Sequence, residues 1–228
     1  MRTMMRSLVV SFVMIVVSLL STPQVHAQDL SRYRNFSFGV TVADLSKQID
    51  AKPADVTVVH EHPALIGELT WWPPQPYSSL RPAEPVDQIL FSFYNGALYR
   101  MLVTYDSSAT KGLTDEDMIR VVSAKYGTAT RPVVVVNFPT NPSYHATEKV
   151  IARWEDSQYS LNLFRSSGSD TFALVMFTKQ LDAQAGVSIA ESVKLEQEEA
   201  PQKEAARAKK TAEDVELERQ KNIKTLRP

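Results

Sequence analysis

The chain has 228 residues, with 25 Lys and Arg against 26 Asp and Glu, four His and no Cys. The missing cysteine excludes disulfides, thiolate metal sites, thiol catalysis and a lipid anchor on a lipobox, so the fold must rest on its core alone. A formal net charge of −1 offers no basic face for nucleic acid.

The chain opens with the features of an export leader. Arg2 and Arg6 precede an apolar run at 8–20, then Pro23 and the small-residue pattern Val25-His26-Ala27. This predicts cleavage between Ala27 and Gln28, a periplasmic or secreted location, and no stable membrane span in the mature chain, because the run falls short of the ~20 residues a span needs. Losing Arg2 and Arg6 takes the basic count from 25 to 23 against 26 acidic residues, a net charge of −3.

Gly39-Val40-Thr41-Val42-Ala43-Asp44-Leu45 and Gly112-Leu113-Thr114-Asp115-Glu116-Asp117-Met118 share the pattern glycine, aliphatic, threonine, two variable positions, aspartate, apolar. Each reads as a helix start, with Thr41 and Thr114 as N-caps and Asp44 and Asp117 beside the orphan amides. The first helix aligns Val42, Leu45 and Ile49. The second aligns Met118, Val122 and Tyr126 and stops at Gly127.

Similar elements follow each start. The first helix leads to strands at 56–60 and 67–72, a proline-rich loop, and the hairpin 88–105 around Asn95-Gly96, a pair suited to the positive φ of a type I′ turn. The second leads to a strand at 132–138, a loop with Pro139 and Pro142, and the hairpin 149–165. A last strand at 171–179 closes the domain. In the first hairpin the expected partners are Phe93 with Leu98, Phe91 with Arg100, Tyr94 with Ala97 and Ser92 with Tyr99. In the second, Trp154, Tyr159, Ala152, Leu161, Val150 and Leu163 share one face, and Arg153, Ser160 and Asn162 face water.

These starts, their tandem repetition and the leader resemble the small periplasmic domains of β-lactamase-inhibitor-protein-like fold, including outer-membrane-assembly lipoproteins of that shape. The resemblance covers roughly residues 34–178. It implies helices on one face of an antiparallel sheet, with the other face open to protein partners, and it transfers no functional residues. The chain departs from the lipoproteins in lacking the lipobox cysteine and in its longer strand–proline loops.

The fold class read from the sequence is therefore α+β: two tandem helix-plus-antiparallel-sheet units, about 34–106 and 112–181, within a globular region at 28–181. A charged helical tail follows at 182–228. That tail has no aromatic residue and is rich in Ala, Glu, Lys, Gln and Arg. Ile189 and Val193 share a face, Pro201 is expected to break the helix and start a second, and beyond it the apolar stripe is mostly alanine.

Several residues invite a chemical role. In Thr70-Trp71-Trp72-Pro73-Pro74, adjacent tryptophans on a strand point to opposite sides, so they form no common platform, and the prolines end the ladder. Trp71, Trp72 and Tyr77 are the candidate partner-binding residues, one tryptophan being core and the other free to stack. His60 and His62 share a strand side and His145 lies in a later loop, but three or four ligands cannot be named, so no metal or cofactor is assigned. Asp115-Glu116-Asp117 reads as helix-start charge and Glu155-Asp156 as a turn. Glu68 and Glu84 form an acid/base pair only if the fold unites them.

No hydrolase elbow, nucleotide loop or zinc-protease signature occurs. The function read from the sequence is a non-enzymatic envelope protein that binds a protein partner through a sheet face, the proline-rich loop or the helical tail, with self-association through the tail as one form. The alternative is a small cell-wall or glycan hydrolase.

Overall fold

The computed structural model describes residues 29–74, 84–138 and 147–226. The leader, Tyr77 and His145 lie outside them. A short hairpin, β1 (Arg32–Tyr33) and β2 (Phe36–Ser37), leads into α1 (Val42–Gln48). Strands β3 (Thr57–His60), β4 (Ile66–Trp71), β5 (Val86–Tyr94) and β6 (Ala97–Tyr105) follow. Then come α2 (Asp115–Tyr126), β7 (Val135–Asn137), β8 (Thr147–Glu155), β9 (Tyr159–Arg165), β10 (Phe172–Thr178) and α3 (Lys179–Thr225).

Both helix starts are capped as the sequence predicts. Thr41 Oγ1 accepts the Asp44 amide, and Thr114 Oγ1 accepts the Asp117 amide while Asp117 Oδ2 accepts the Thr114 amide at 3.0 Å. Leu45 and Ile49, and Met118, Val122 and Tyr126, are the buried faces. Gly127 closes α2 at φ 78°.

Strands β3 to β10 form one eight-stranded antiparallel sheet in the order β3-β4-β5-β6-β10-β9-β8-β7. Each short helix is thus followed by a four-stranded meander, and β6 and β10, the last strands of the two meanders, pair at the sheet centre. The helices α1 and α2 cover the inner face. There Phe91, Phe93, Leu98, Met101, Trp154, Leu161 and Leu174 lose essentially all contact with water. Each such side chain contributes about 1.5–3 kcal/mol relative to exposure. Trp154 also donates from Nε1 to the Gly127 carbonyl at 2.8 Å, tying β8 to the end of α2.

Two β-bulges change the expected registers. Asn95 and Gly96 turn as predicted, with φ of 49° and 83°, and Phe93 faces Leu98 while Tyr94 faces Ala97. Below them Ser92 faces Arg100 and Phe91 faces Met101, so Tyr99 is the extra residue, and the expected pairs Phe91 with Arg100 and Ser92 with Tyr99 are corrected. A bulge directs two successive side chains to one side of the strand. In the second hairpin Glu155 pairs with Ser160 and Trp154 with Leu161. Ile151 is the extra residue, and it moves Val150 to the outer cluster with Phe164. Ser160 and Asn162 are buried rather than wet: Arg153 Nε donates to Asn162 Oδ1 at 2.6 Å, and Asn162 Nδ2 donates to Ser160 Oγ at 3.0 Å.

The C-terminal helix is one element of 47 residues that runs through Pro201. The expected break does not occur. Proline removes one amide, which would otherwise bond the carbonyl four residues earlier, but this stretch is exposed throughout, so solvent can satisfy the freed oxygen.

Candidate functional site

The outer face of the sheet carries a transverse row of Glu68, Ser92, Arg100, Phe177 and Ser160 across β4, β5, β6, β10 and β9. Because of the bulge, Tyr99 joins Arg100 on this side, against Ile66, Ala185 and Ile189. Arg100 is the hub. Its Nη1 lies 2.9 Å from Asp182 Oδ1 in the first turn of α3, its Nη2 donates to the Asn137 carbonyl at 2.5 Å, and its guanidinium sits 5.2 Å from the Phe138 ring and 5.5 Å from the Phe177 ring.

Burial pushes the Asp182 carboxyl above its ordinary value, and Arg100 offsets this only in part. Burial likewise pushes the Tyr99 phenol well up. A cavity of 540 Å³ opens between this face and α3, lined by Glu68, Ser92, Tyr99, Arg100 and Asp182 on its polar side and by Leu90, Leu102, Phe138 and Ile189 on its apolar side. The cavity places two carboxylates and one guanidinium around an apolar floor, a setting for binding a group that is partly apolar and partly polar.

The same face anchors the root of α3. Strand β10 passes into the helix without a loop, and Lys179 Nζ reaches Glu155 at 2.7 Å and the Asp156 carbonyl at 2.7 Å. Ala185, Ser188, Ile189 and Ser192 are the buried helix positions. Ser192 Oγ donates to the His62 carbonyl, and Glu196 Oε1 lies 3.2 Å from His60 Nδ1. From Val193 to Leu226 every residue is exposed, including Val215 at 62%, Leu217 at 64%, Ile223 at 56% and Leu226 at 77%. The helix is a docked root continued as a free arm.

The sequence-predicted residues fall as follows. Trp71 turns inward, edge-on to Phe36 at 5.4 Å, while Trp72 lies past the end of β4 and is 63% exposed. Glu68 faces the cavity. Glu84 instead pairs with Arg34 at 2.6 Å and accepts the Val86 amide at 3.0 Å. Burial pushes the Glu84 carboxyl up, but Arg34 and that amide outweigh it and leave it below its ordinary value. The two glutamates therefore have different partners. His60 and His62 serve the helix root, and among the described residues no group of three or more His, Asp or Glu is placed to hold a metal.

Asp115, Glu116 and Asp117 pair with Arg165, Arg131 and Arg120 around the start of α2. Asp156 Oδ1 accepts two amides of its own turn, from Gln158 and Tyr159. Sequence reasoning missed Tyr99, Arg100 and Asp182. The available signal was an arginine inside the apolar run 97–105, a position that needs a buried partner.

No helix among the described residues is long and apolar enough to cross a membrane. No protein-family model, curated protein or solved structure matches the chain.

Proposed function

We propose that this is a non-enzymatic, exported protein of the bacterial envelope whose work is to bind another protein through the arm of α3. The observation that carries the reading is the exposure of that arm. From Glu204 to Leu226 the chain is exposed at every residue, yet carries Val215, Ile223 and Leu226 on that surface. An isolated helix gains little in water by itself, so such an arm is most useful where a second surface covers it. The anchored root holds the arm at a fixed site on the sheet, which keeps it presented. Trp72, exposed at the exit of β4 beside Asp55, Thr57 and Leu90, is a second contact point in this reading, together with Tyr77, which lies outside the described residues.

The export leader cleaved after Ala27, the origin of the two meanders by duplication of one helix-plus-sheet unit, and the likeness to periplasmic β-lactamase-inhibitor-protein-like domains belong to the same proposal. The mirrored strand order on either side of β6 and β10 supports the duplication.

The test is site-specific photo-crosslinking in the producing cell. A probe at Val215 should yield a discrete protein adduct, and a probe at Val133, 95% exposed on the domain, should not. Absence of an adduct at both Val215 and Trp72 would overturn the reading. A hydrolase acting on cell wall or glycan is the second reading, favoured by Glu68 and Asp182 on one cavity. It requires that Glu68→Gln or Asp182→Asn abolish a measurable hydrolysis while the fold persists.

A further inference from the structure

The cavity beneath the root of α3 has a ceiling that packing alone does not explain. Asp182, Gly186 and Ile189 recur at helical spacing, so they share the helix face that closes the cavity. A Cβ built on Gly186 would meet nothing within 4 Å. Alanine would therefore fit at 186, and it would make a more stable helix than glycine does. Close approach of the sheet does not call for glycine there. The missing side chain leaves space instead.

The walls present polar groups in unequal states. Arg100 is committed: Nη1 to Asp182, Nη2 to the Asn137 carbonyl, and its two faces to the Phe138 and Phe177 rings. Asp182 gives only Oδ1 to that pair, and Oδ2 accepts no hydrogen bond among the described residues. Tyr99 is 3% exposed, yet its hydroxyl has no hydrogen-bond partner among the described residues. It is not sealed in the core as Ser46 Oγ and Thr178 Oγ1 are, so it opens on the cavity that Tyr99 lines. Burial holds the phenol protonated, Arg100 opposes this, and Asp182 and Glu68 add to it, so the hydroxyl lies within electrostatic range of both carboxylates. A buried hydroxyl without a partner costs free energy that a ligand would recover.

We infer that this cavity binds an organic primary amine, its ammonium held by Asp182, Tyr99 and Glu68 and its apolar body laid on Leu90, Leu102, Phe138 and Ile189. Among the described residues that line the cavity, Glu68 and Asp182 stand against Arg100, which leaves one negative charge in excess. An anion would meet two carboxylates and an arginine already engaged at both terminal nitrogens. An ammonium brings one positive charge and three donors, which match Asp182 Oδ2, the Tyr99 oxygen and Glu68. Glu68 has partners of its own, but a carboxylate can accept about four hydrogen bonds. The volume of 540 Å³ lies in the range of small-molecule sites, ~300–1,000 Å³. This site is separate from the arm and does not depend on how the arm is used. Because α3 supplies Asp182 and Ile189 while the strands supply Tyr99 and Glu68, the ligand also fastens the root to the sheet.

The test is titration of the protein as purified from cells with phenethylamine, followed by NMR shifts. Hydrocinnamate, with a similar apolar body and the opposite charge, is titrated beside it. The amine should bind saturably with a dissociation constant of about 1 mM or below, shifting signals of Tyr99, Arg100 and Ile189. Hydrocinnamate should bind at least about tenfold more weakly. Tyr99→Phe removes only a hydroxyl that has no partner, so the fold should stand while amine affinity falls about five- to tenfold. Gly186→Leu places a side chain in open space and should abolish amine binding at unchanged helicity.

No saturable shift up to about 10 mM amine would overturn the inference. So would equal affinity for hydrocinnamate, which would show apolar partition alone. Unchanged affinity in Tyr99→Phe or in Gly186→Leu would put the amine somewhere else and overturn it as well. Crosslinking at Val215 is read separately, so failure here leaves the binding function of the arm standing.

Discussion

The guanidinium of Arg100 and the carboxylate of Asp182, 82 residues apart in sequence, meet at 2.9 Å between the centre of the sheet and the first turn of α3. This pair is one of the contacts that hold the root of α3 on the sheet. Arg100→Met should leave Asp182 without its cation in a desolvated site and cost about 2 kcal/mol, below the range for a fully buried pair because both groups keep some water contact. Hydrogen exchange in 179–192 should rise while exchange in α1 and α2 stays unchanged. Equal exchange in the root of the variant would remove Arg100 from its anchoring role.

The same carboxylate gives a pH dependence of definite sign. Burial raises Asp182 in the folded state above its unfolded 3.8, so the folded protein binds the proton first. Its contribution to stability is complete below the unfolded value and is lost as pH rises through the folded one. Asp182→Asn should flatten that part of the stability profile, measured by thermal unfolding across the acid range. An unaltered slope would reject the assignment.

Asp117 behaves in the opposite sense. Hydrogen bonds from Thr114 hold its carboxyl down at about 2 in the folded state, against 3.8 unfolded. The stability it confers is present above the unfolded value and lost as pH falls through about 2. Thr114→Ala should cost about 1 kcal/mol at neutral pH through the lost cap. It should also bring the Asp117 titration, followed by carboxyl NMR, back towards the unfolded value.

Gly67 in β4 tests close approach rather than electrostatics. A Cβ there would lie 2.8 Å from Val56 Cγ1. Gly67→Ala should destabilise the protein by about 1–3 kcal/mol, and Val56→Ala in the same chain should recover most of the loss. Additive losses in the two variants would show that the contact is not the cause.

Trp154→Phe should remove the bond to the Gly127 carbonyl and leave that acceptor unsatisfied beneath α2, at a cost of about 2 kcal/mol. The check is a denaturant midpoint that falls at constant slope.

What the sequence determined by itself was local. Thr41 and Thr114 start their helices because a hydroxyl and a nearby carboxylate satisfy orphan amides within one turn. Asn95-Gly96 turns its hairpin because those two residues tolerate positive φ. The inner core was legible for the same reason, as Leu45, Ile49, Met118, Val122 and Tyr126 repeat at helical spacing.

What only the tertiary structure decided depends on distant groups. Whether Tyr99 or a neighbour became the bulged residue was set by which side chains met β10 and α3, and a shift of one residue in a strand exchanges the two faces of the sheet. That shift put Arg100 on the outer face, where Asp182 could reach it, and the separate bulge at Ile151 moved Val150 from the inner cluster to the outer one. Pro201 reads as a helix breaker in any window of sequence. It is tolerated here because the arm around it stands in water and the root before it is held by Arg100, Tyr99 and the carbonyl of His62.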